Sequence, residues 1–155
     1  MKIIFLDIDG VMNNGDLLQH EGWDAIGEEF LQRLKTIVAA TGARIVLSST
    51  WRLSERNRDL VDQALGRHNM MVMDVTADFW TKPRGFEILE WLSRHKNTGQ
   101  FAVLDDTDEA GVGIGKENFF QTDFEFGLTD EIVQRVIDHL GSAHAEIPQD
   151  EMAAV

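Results

Sequence analysis

Apolar residues cluster along this chain in five short stretches, which are separated by longer amphipathic segments. Three of the stretches are nearly continuous, as expected for strands that are buried on both faces of a parallel sheet. These are Ile3–Leu6, Ala43–Leu47 and Phe101–Leu104, and weaker candidates span Met70–Val75 and Asn118–Gln121. The pattern therefore predicts a sheet of about five strands.

Between the predicted strands, apolar positions recur at the three- and four-residue spacing of helices that bury one face. Such segments lie around residues 30–38, 60–65, 86–92 and 132–140. Ser54 and Thr129 stand where helix N-caps are expected, and Gly66 and Gly141 stand where helices are expected to end. Strands that alternate with helices predict an α/β domain with a parallel central sheet and right-handed crossovers.

The organisation of the chain is simple. Its 155 residues suit a single domain, which we place over residues 1–141. Residues 142–155 are polar or small and include Pro148, so we expect a flexible C-terminal tail there. The intervals from Asp7 to Ser48 and from Thr50 to Lys82 are used up by the predicted helices, loops and strand, so we expect no separate lid domain.

Composition narrows the possible functions. The chain has no cysteine, which excludes disulfides, thiol catalysis and Cys-ligated zinc. Its 14 Lys and Arg residues against 27 Asp and Glu residues give a net charge of −13, so the chain as a whole lacks the cationic surface of a nonspecific nucleic-acid binder. No apolar run approaches the roughly 20 residues of a membrane span, and the N-terminal apolar stretch stops at Asp7. We therefore predict a cytoplasmic protein with no membrane partner.

Polar residues follow three of the predicted strands where each strand ends. They are Asp7-Ile8-Asp9, Ser48-Ser49-Thr50 and Asp105-Asp106. Turn preferences of Asp, Ser and Thr explain any one of these strand ends, but they explain all three together poorly. In an open parallel sheet the carboxyl ends of the strands form the ligand-binding edge, so we expect these side chains to meet.

Clustered carboxylates repel one another unless a cation lies among them. Oxygen ligands without cysteine favour Mg²⁺, which is commonly held by one or two carboxylates together with a substrate phosphate. The predicted cluster therefore indicates a magnesium site and phosphate chemistry. Asp106 and Asp108 remain alternative candidates for the second carboxylate after the predicted strand at residues 101–104.

These motifs resemble the haloacid dehalogenase (HAD) superfamily of phosphatases. Their order along the chain matches its four motifs, over about residues 1–141: Asp7-Ile8-Asp9-Gly10-Val11, Ser48, Lys82 with Arg84, and Asp105-Asp106. Three stretches further resemble the small HAD domains of Swiss-army-knife RNA-repair proteins and polynucleotide phosphatases: Ser48–Arg52, Arg84–Ile88 and Gly127–Thr129. The resemblance implies a Rossmann-like three-layer sandwich without a cap domain.

The resemblance also implies roles for the catalytic residues. Asp7 would be the nucleophile that forms an aspartyl-phosphate, and Asp9 would be the general acid and base. Ser48 would donate a hydrogen bond to a phosphoryl oxygen. Either Lys82 or Arg84 would offset negative charge in the transition state, and the match of the stretch after Arg84 to the RNA-repair subgroup favours Arg84. Mg²⁺ would lie between the Asp7 carboxylate, the Asp9 carbonyl and the pair Asp105 and Asp106.

The substrate-binding prediction rests on residues next to these motifs. Gly10 would let the backbone approach the phosphate closely, and Ser49, Thr50, Trp51 and Arg52 would line the site. Packing in the core is the favoured interpretation of Trp51, and stacking on a base is the alternative.

The sequence supports three hypotheses about the function. The first is a Mg²⁺-dependent phosphomonoesterase, with a nucleic-acid 3′-phosphate end as a candidate substrate. Trp51 and the basic residues Arg52, Arg56 and Arg58 favour such an end. The net charge and the lack of Lys or Arg over residues 10–32 oppose it, and favour a small-metabolite or nucleotide phosphatase. A non-catalytic phosphate-binding regulatory module is the third hypothesis.

Overall fold

The computed structural model describes residues 1–142 of the chain. Five strands and five α-helices follow one another along it in this order: β1 (Ile3–Leu6), α1 (Gly15–Glu21), α2 (Glu28–Thr41), β2 (Arg44–Leu47), α3 (Glu55–Gly66), β3 (Val72–Val75), α4 (Arg84–Arg94), β4 (Phe101–Asp105), β5 (Phe119–Gln121) and α5 (Asp130–Leu140). Short 3₁₀ turns add the segments Thr50–Leu53, Asp108–Gly111 and Lys116–Asn118. The predicted tail lies outside the described residues from position 143 onward.

All strand pairs are parallel, and the strand order is β3-β2-β1-β4-β5. The chain moves outward in one direction from β1 to β3 and then crosses back to β4. The switch point between the two directions therefore falls between β1 and β4, which is where ligands bind in open α/β sheets. The predicted α/β fold with a five-stranded parallel sheet is confirmed.

Alternation of side chains along the strands divides the core into two clusters, one on each face of the sheet. On one face Ile4 and Leu6 pack with apolar residues of α2, α3 and α5. On the other face Ile3 and Phe5 pack with Trp91 of α4. The domain is thus a three-layer sandwich, and over residues 1–142 no separate cap domain interrupts it.

The predicted helix ends largely hold. Ser54 and Thr129 accept backbone hydrogen bonds as N-caps of α3 and α5, and Gly141 ends α5 at φ 80°. Helix α3 does end at Gly66, but the residue with a left-handed backbone is Asn69, at φ 57°. Helix α1 was not specified by the pattern, because only Leu18 of its seven residues is buried. No helix in the described part of the chain is both long and apolar enough to cross a bilayer.

Candidate active site

Three carboxylates meet at the carboxyl ends of the central strands. Asp7 follows β1 directly, Asp105 ends β4, and Asp106 is the next residue. Because Leu6 and Leu104 are register partners, the two strand ends bring these residues side by side. Each of the three can offer an oxygen within 4.8 Å of the others. The predicted acidic cluster is therefore present, and it includes Asp106 rather than Asp108, whose carboxylate accepts a hydrogen bond from Gln121.

The cluster is short of positive charge. Burial and the neighbouring Asp105 carboxylate raise the pKa of Asp7 well above its usual value, against an opposing effect of Arg84. Burial and Asp105 also raise the pKa of Asp106. Oxygen ligands alone, two of them buried, suit a hard divalent cation such as Mg²⁺. A cation placed among them would relieve the repulsion that the raised pKa values report.

Arg84, the first residue of α4, supplies the positive charge that the protein itself brings to the cluster. Its Nη1 lies 2.5 Å from Asp105 Oδ2 and 3.5 Å from Asp7 Oδ1. Burial opposes the guanidinium charge, but the carboxylates of Asp105 and Asp7 outweigh it and raise the pKa of Arg84. Lys82, the other predicted cation, is exposed and lies over the ring of Phe86. The structure thus places Arg84, and not Lys82, at the cluster.

A glycine allows this position of Arg84. A side chain at Gly85 would meet the carbonyl oxygen of Val112 at 2.0 Å, so α4 begins in backbone contact with the segment after β4. On the same side, Thr107 donates two hydrogen bonds of 2.9 Å to Asp105 Oδ1, one from its amide and one from its hydroxyl. The segment after β4 therefore holds both residues of the Arg84–Asp105 ion pair in place. It contacts the backbone beside Arg84 and donates hydrogen bonds to Asp105.

Asp9 lies apart from the acidic cluster. Its Oδ1 accepts a hydrogen bond of 3.0 Å from Asn13 Nδ2, and its Oδ2 accepts one of 3.1 Å from Trp51 Nε1. The carboxylate is thus directed toward two neutral donors. The role of the Asp9 carbonyl as a metal ligand stays a prediction.

Gly10 lies against a carboxylate of the acidic cluster. Its φ is 79°, and a Cβ built on it would lie 2.3 Å from Asp106 Oδ2. The space beside Gly10 is therefore filled by the Asp106 carboxylate. Thr122 holds the backbone at Gly10, because its hydroxyl donates a hydrogen bond of 2.6 Å to the Gly10 carbonyl oxygen. The glycine makes room for a cluster carboxylate, which the sequence alone did not reveal.

Ser48 is completely buried at the end of β2. Within the described part of the chain, its hydroxyl oxygen has no hydrogen-bond partner. An unpaired buried hydroxyl costs about 1–3 kcal/mol, so this donor is suited to a ligand oxygen. The neighbouring Ser49 is committed locally, because its Oγ accepts a hydrogen bond from the Trp51 amide, and Thr50 is exposed.

Comparison with known protein families identifies the family of this chain. A model of the HAD domain in Swiss Army Knife RNA repair proteins matches residues 3–133, which include all five strands and the whole acidic cluster. The chain belongs to this HAD family. Membership indicates a hydrolase of the phosphatase type that acts on a phosphorylated substrate. No curated protein and no solved structure matches the chain significantly.

In this HAD domain Trp51 corrects the substrate-binding prediction, whereas Thr50 and Arg52 do line the cleft that contacts Arg84. Trp51 is only 4% exposed and packs in the core, so the core interpretation is confirmed and base stacking is wrong. Arg52 is buried and donates to the carbonyl oxygens of Ser48 and Thr76, among others. Trp51 and Arg52 both belong to the 3₁₀ turn after β2, and both are buried.

Arg52 belongs to a buried link between the strand ends and α4. Its Nη2 lies 3.0 Å from Glu87 Oε2, and the side chains of both residues are buried. Glu87 Oε2 also accepts a hydrogen bond of 2.7 Å from the Phe79 amide. Glu87 lies three residues after Arg84, on the next turn of α4. The ion pair therefore ties the loop of Ser48 and the loop after β3 to the helix that carries Arg84.

Sequence reasoning missed two residues that shape the site. Asn13 is fully buried, and it could have been found as a polar residue four positions after Asp9 in an otherwise apolar turn. Trp80 is 87% exposed and lines a cleft of about 240 Å³ that also contacts Arg84 and Lys82. Trp91 falls on the apolar face of a predicted helix, but nothing in the local pattern distinguishes the exposed Trp80 from the buried Trp51.

The basic residues Arg52, Arg56 and Arg58 offer less free positive charge to a substrate than the sequence indicates. Arg56 forms an exposed ion pair of 2.7 Å with Asp24. Arg58 lies in a cleft with Asp59, Asp62 and other residues. With Arg52 buried, neither remaining arginine of the run is clear of acidic neighbours. This surface does not form a continuous track for successive phosphates of a nucleic acid.

Proposed function

We propose that this HAD domain is a Mg²⁺-dependent phosphomonoesterase that acts through an aspartyl-phosphate on Asp7. The observation that carries the proposal is the grouping at one sheet edge of a buried carboxylate, a partly buried arginine and an unpaired buried hydroxyl. Asp7, Arg84 and Ser48 supply these groups. A nucleophile, a cation for developing charge and a donor for a phosphoryl oxygen are what phosphate ester hydrolysis requires.

The metal is part of the proposal. Asp7, Asp105 and Asp106 would hold Mg²⁺, and when bound the ion would neutralise charge on the phosphate and on the carboxylates. The family match and the oxygen-only cluster support this choice of cofactor.

In the first half of the reaction an Asp7 oxygen attacks phosphorus and the ester P–O bond breaks. The leaving oxygen takes a proton from Asp9, which becomes a carboxylate. Arg84 offsets the charge that develops on the phosphoryl oxygens, and Ser48 donates a hydrogen bond to one of them.

In the second half Asp9 takes a proton from a water molecule as the water oxygen attacks phosphorus. The Asp7–phosphate bond breaks, inorganic phosphate leaves, and Asp9 is again protonated. The cycle consumes one water molecule and restores both carboxyl groups. Covalent catalysis of this kind divides one difficult displacement into two easier ones.

For the substrate we propose a terminal phosphate on a nucleotide or a nucleic-acid end, bound near the phosphate itself. The family description, which refers to RNA repair, supports a nucleic-acid end. The acidic surroundings of Arg56 and Arg58 count against contacts with further phosphates along the chain. A small-metabolite phosphatase is the second candidate, and the net charge of −13 favours it.

One screen tests the whole proposal. Release of inorganic phosphate would be measured with Mg²⁺ from nucleotides, sugar phosphates, phosphopeptides and oligonucleotides with 3′- or 5′-phosphates, and repeated with EDTA. We expect EDTA-sensitive turnover, with short and long phosphorylated oligonucleotides hydrolysed at similar kcat/KM. Faster turnover of sugar phosphates would favour the metabolite phosphatase. Phosphate binding without any turnover would instead identify the regulatory module.

A further inference from the structure

We infer that Trp51 and Asn13 are positioning residues that hold the Asp9 carboxyl group so that its proton is delivered only to the leaving-group oxygen. The inference rests on the proposed function, because it assigns Asp9 the role of general acid. It concerns two side chains that touch neither the acidic cluster nor the nucleophile in the contacts described above.

The contacts fix both oxygens of one carboxyl group. Trp51 Nε1 reaches Oδ2 at 3.1 Å, and Asn13 Nδ2 reaches Oδ1 at 3.0 Å. A carboxyl group that is held at both oxygens has little freedom to rotate about its Cβ–Cγ bond. A general acid gains from such a fixed orientation, because proton transfer requires the acid and the leaving oxygen to be within hydrogen-bond reach.

Both donors are themselves held firmly. Asn13 is fully buried, its Oδ1 accepts the Gly10 amide at 2.8 Å, and its Nδ2 also reaches the carbonyl oxygen of Ala25 at 3.1 Å. Trp51 is 4% exposed and packs in the core. The carboxyl group of Asp9 therefore takes its orientation from groups that cannot move with it, which is the arrangement that preorganised sites use.

The chemistry of the two partners directs the proton. An indole N–H only donates, and the amide nitrogen of Asn13 only donates, so neither atom that contacts Asp9 can accept its proton. The proton of the neutral carboxyl group must occupy one of the lone-pair positions that these donors leave open. The oxygen of a departing alcohol is the acceptor that the proposed reaction brings there.

The same two donors keep Asp9 out of the cluster of Asp7, Asp105 and Asp106. A free carboxylate two residues from Asp7 would be attracted to Arg84 and to a divalent cation. Directed toward neutral N–H groups, the Asp9 carboxyl group is instead held outside the cluster. The assignment explains why a buried tryptophan follows the strand end that carries Ser48.

The test compares two substitutions of the same type. Trp51→Phe keeps an aromatic ring in the core but deletes the N–H that reaches Asp9. Trp91→Phe is the matched control, because Trp91 is fully buried and its Nε1 donates to another carboxylate, Asp74, at 2.8 Å, on the opposite face of the sheet. Melting curves of both variants would show that they fold.

The readout is the dependence on the leaving group. Trp51→Phe should lower kcat for an alkyl phosphate about tenfold, as for the loss of one hydrogen bond to a charged group, and change kcat for p-nitrophenyl phosphate much less. Trp91→Phe should leave the ratio of the two rates unchanged. Asn13→Asp, which replaces the donor by an acceptor, should reproduce the effect of Trp51→Phe and serves if that variant does not fold.

Asp9→Asn separates the possible failures. If Asp9→Asn loses more turnover on the alkyl phosphate while Trp51→Phe and Asn13→Asp lose equally on both substrates, the positioning role is wrong and the proposed mechanism stands. If Asp9→Asn itself loses equally on both substrates, the acid role is wrong and the positioning role falls with it.

Discussion

Two carboxyl groups that stand two residues apart occupy opposite environments in this domain. Asp7 faces Asp105, Asp106 and the guanidinium of Arg84, so its surroundings are dense in charge. Asp9 is contacted by an amide and an indole, which are neutral and only donate. The comparison supports the proposal that one residue type at one strand end serves as a nucleophile at Asp7 and as an acid at Asp9. In that proposal charged neighbours distinguish the first position, and neutral donors orient the second.

The contrast between Asp7 and Asp9 predicts the largest loss of turnover when the proposed nucleophile, Asp7, is replaced. Asp7→Asn keeps the shape of the side chain but cannot form the acyl phosphate, so turnover of p-nitrophenyl phosphate with Mg²⁺ should fall by on the order of 10⁴-fold or more. A melting curve would establish that the variant folds. Turnover near that of the wild type would exclude Asp7 as the nucleophile.

Removal of the arginine tests the charged side of the comparison without changing the nucleophile. Arg84→Gln should lower kcat by about 10²–10³-fold, the usual cost of losing one group that stabilises transition-state charge. Lys82→Ala is the control, because Lys82 is exposed and does not reach the cluster. Equal losses in the two variants would mean that the position of Arg84 is not what matters.

The glycine next to Arg84 offers a subtler perturbation. Gly85→Ala would push α4 away from the Val112 carbonyl, so we expect a loss of about 1–3 kcal/mol in the free energy of unfolding and a lower kcat. Gly66→Ala is the control, because a side chain there meets nothing within 4 Å. Urea unfolding of both variants gives the comparison, and a stable, fully active Gly85→Ala would contradict the close packing.

The raised pKa of Asp7 predicts a dependence of stability on pH. When the pH lies above 3.8, the ordinary pKa of an aspartate, the folded protein retains a proton on Asp7 that the unfolded chain has lost. Stability of the metal-free protein from this group should therefore fall as pH rises from about 4 toward the raised pKa, at a limit of about 1.4 kcal/mol per pH unit.

Asp7→Asn lacks this titration, so its stability relative to the wild type should increase with pH over the same window. Urea unfolding in EDTA between pH 4 and 7 measures the difference. Parallel curves for the two proteins would show that Asp7 titrates normally. Added Mg²⁺ should reduce the difference, because it favours the ionised carboxylate of the wild type.

The sequence predicted the fold and the cluster well because both follow from local rules. Apolar runs define the strands, and parallel strands bring the residues after them, such as Asp7, Ser48 and Asp105, to one edge. The directions of Trp51 and Arg52 were not predictable, because the turn after β2 takes its course from packing against other elements. Likewise, the choice of Arg84 over Lys82 depends on where α4 begins, which the contact of Gly85 with Val112 sets.

The strand order has a consequence for how the domain comes into being. Strand β1, the first of these five strands along the chain, lies in the centre of the sheet between β2 and β4. Asp7 therefore leaves the ribosome roughly a hundred residues before Asp106, an interval of about 5–20 s at ordinary rates of translation. A nascent chain that has not yet reached β4 holds Asp7 without the two carboxylates that complete its cluster. The proposed ability to hydrolyse a phosphate ester would thus arise only when the second half of the sheet joins the first.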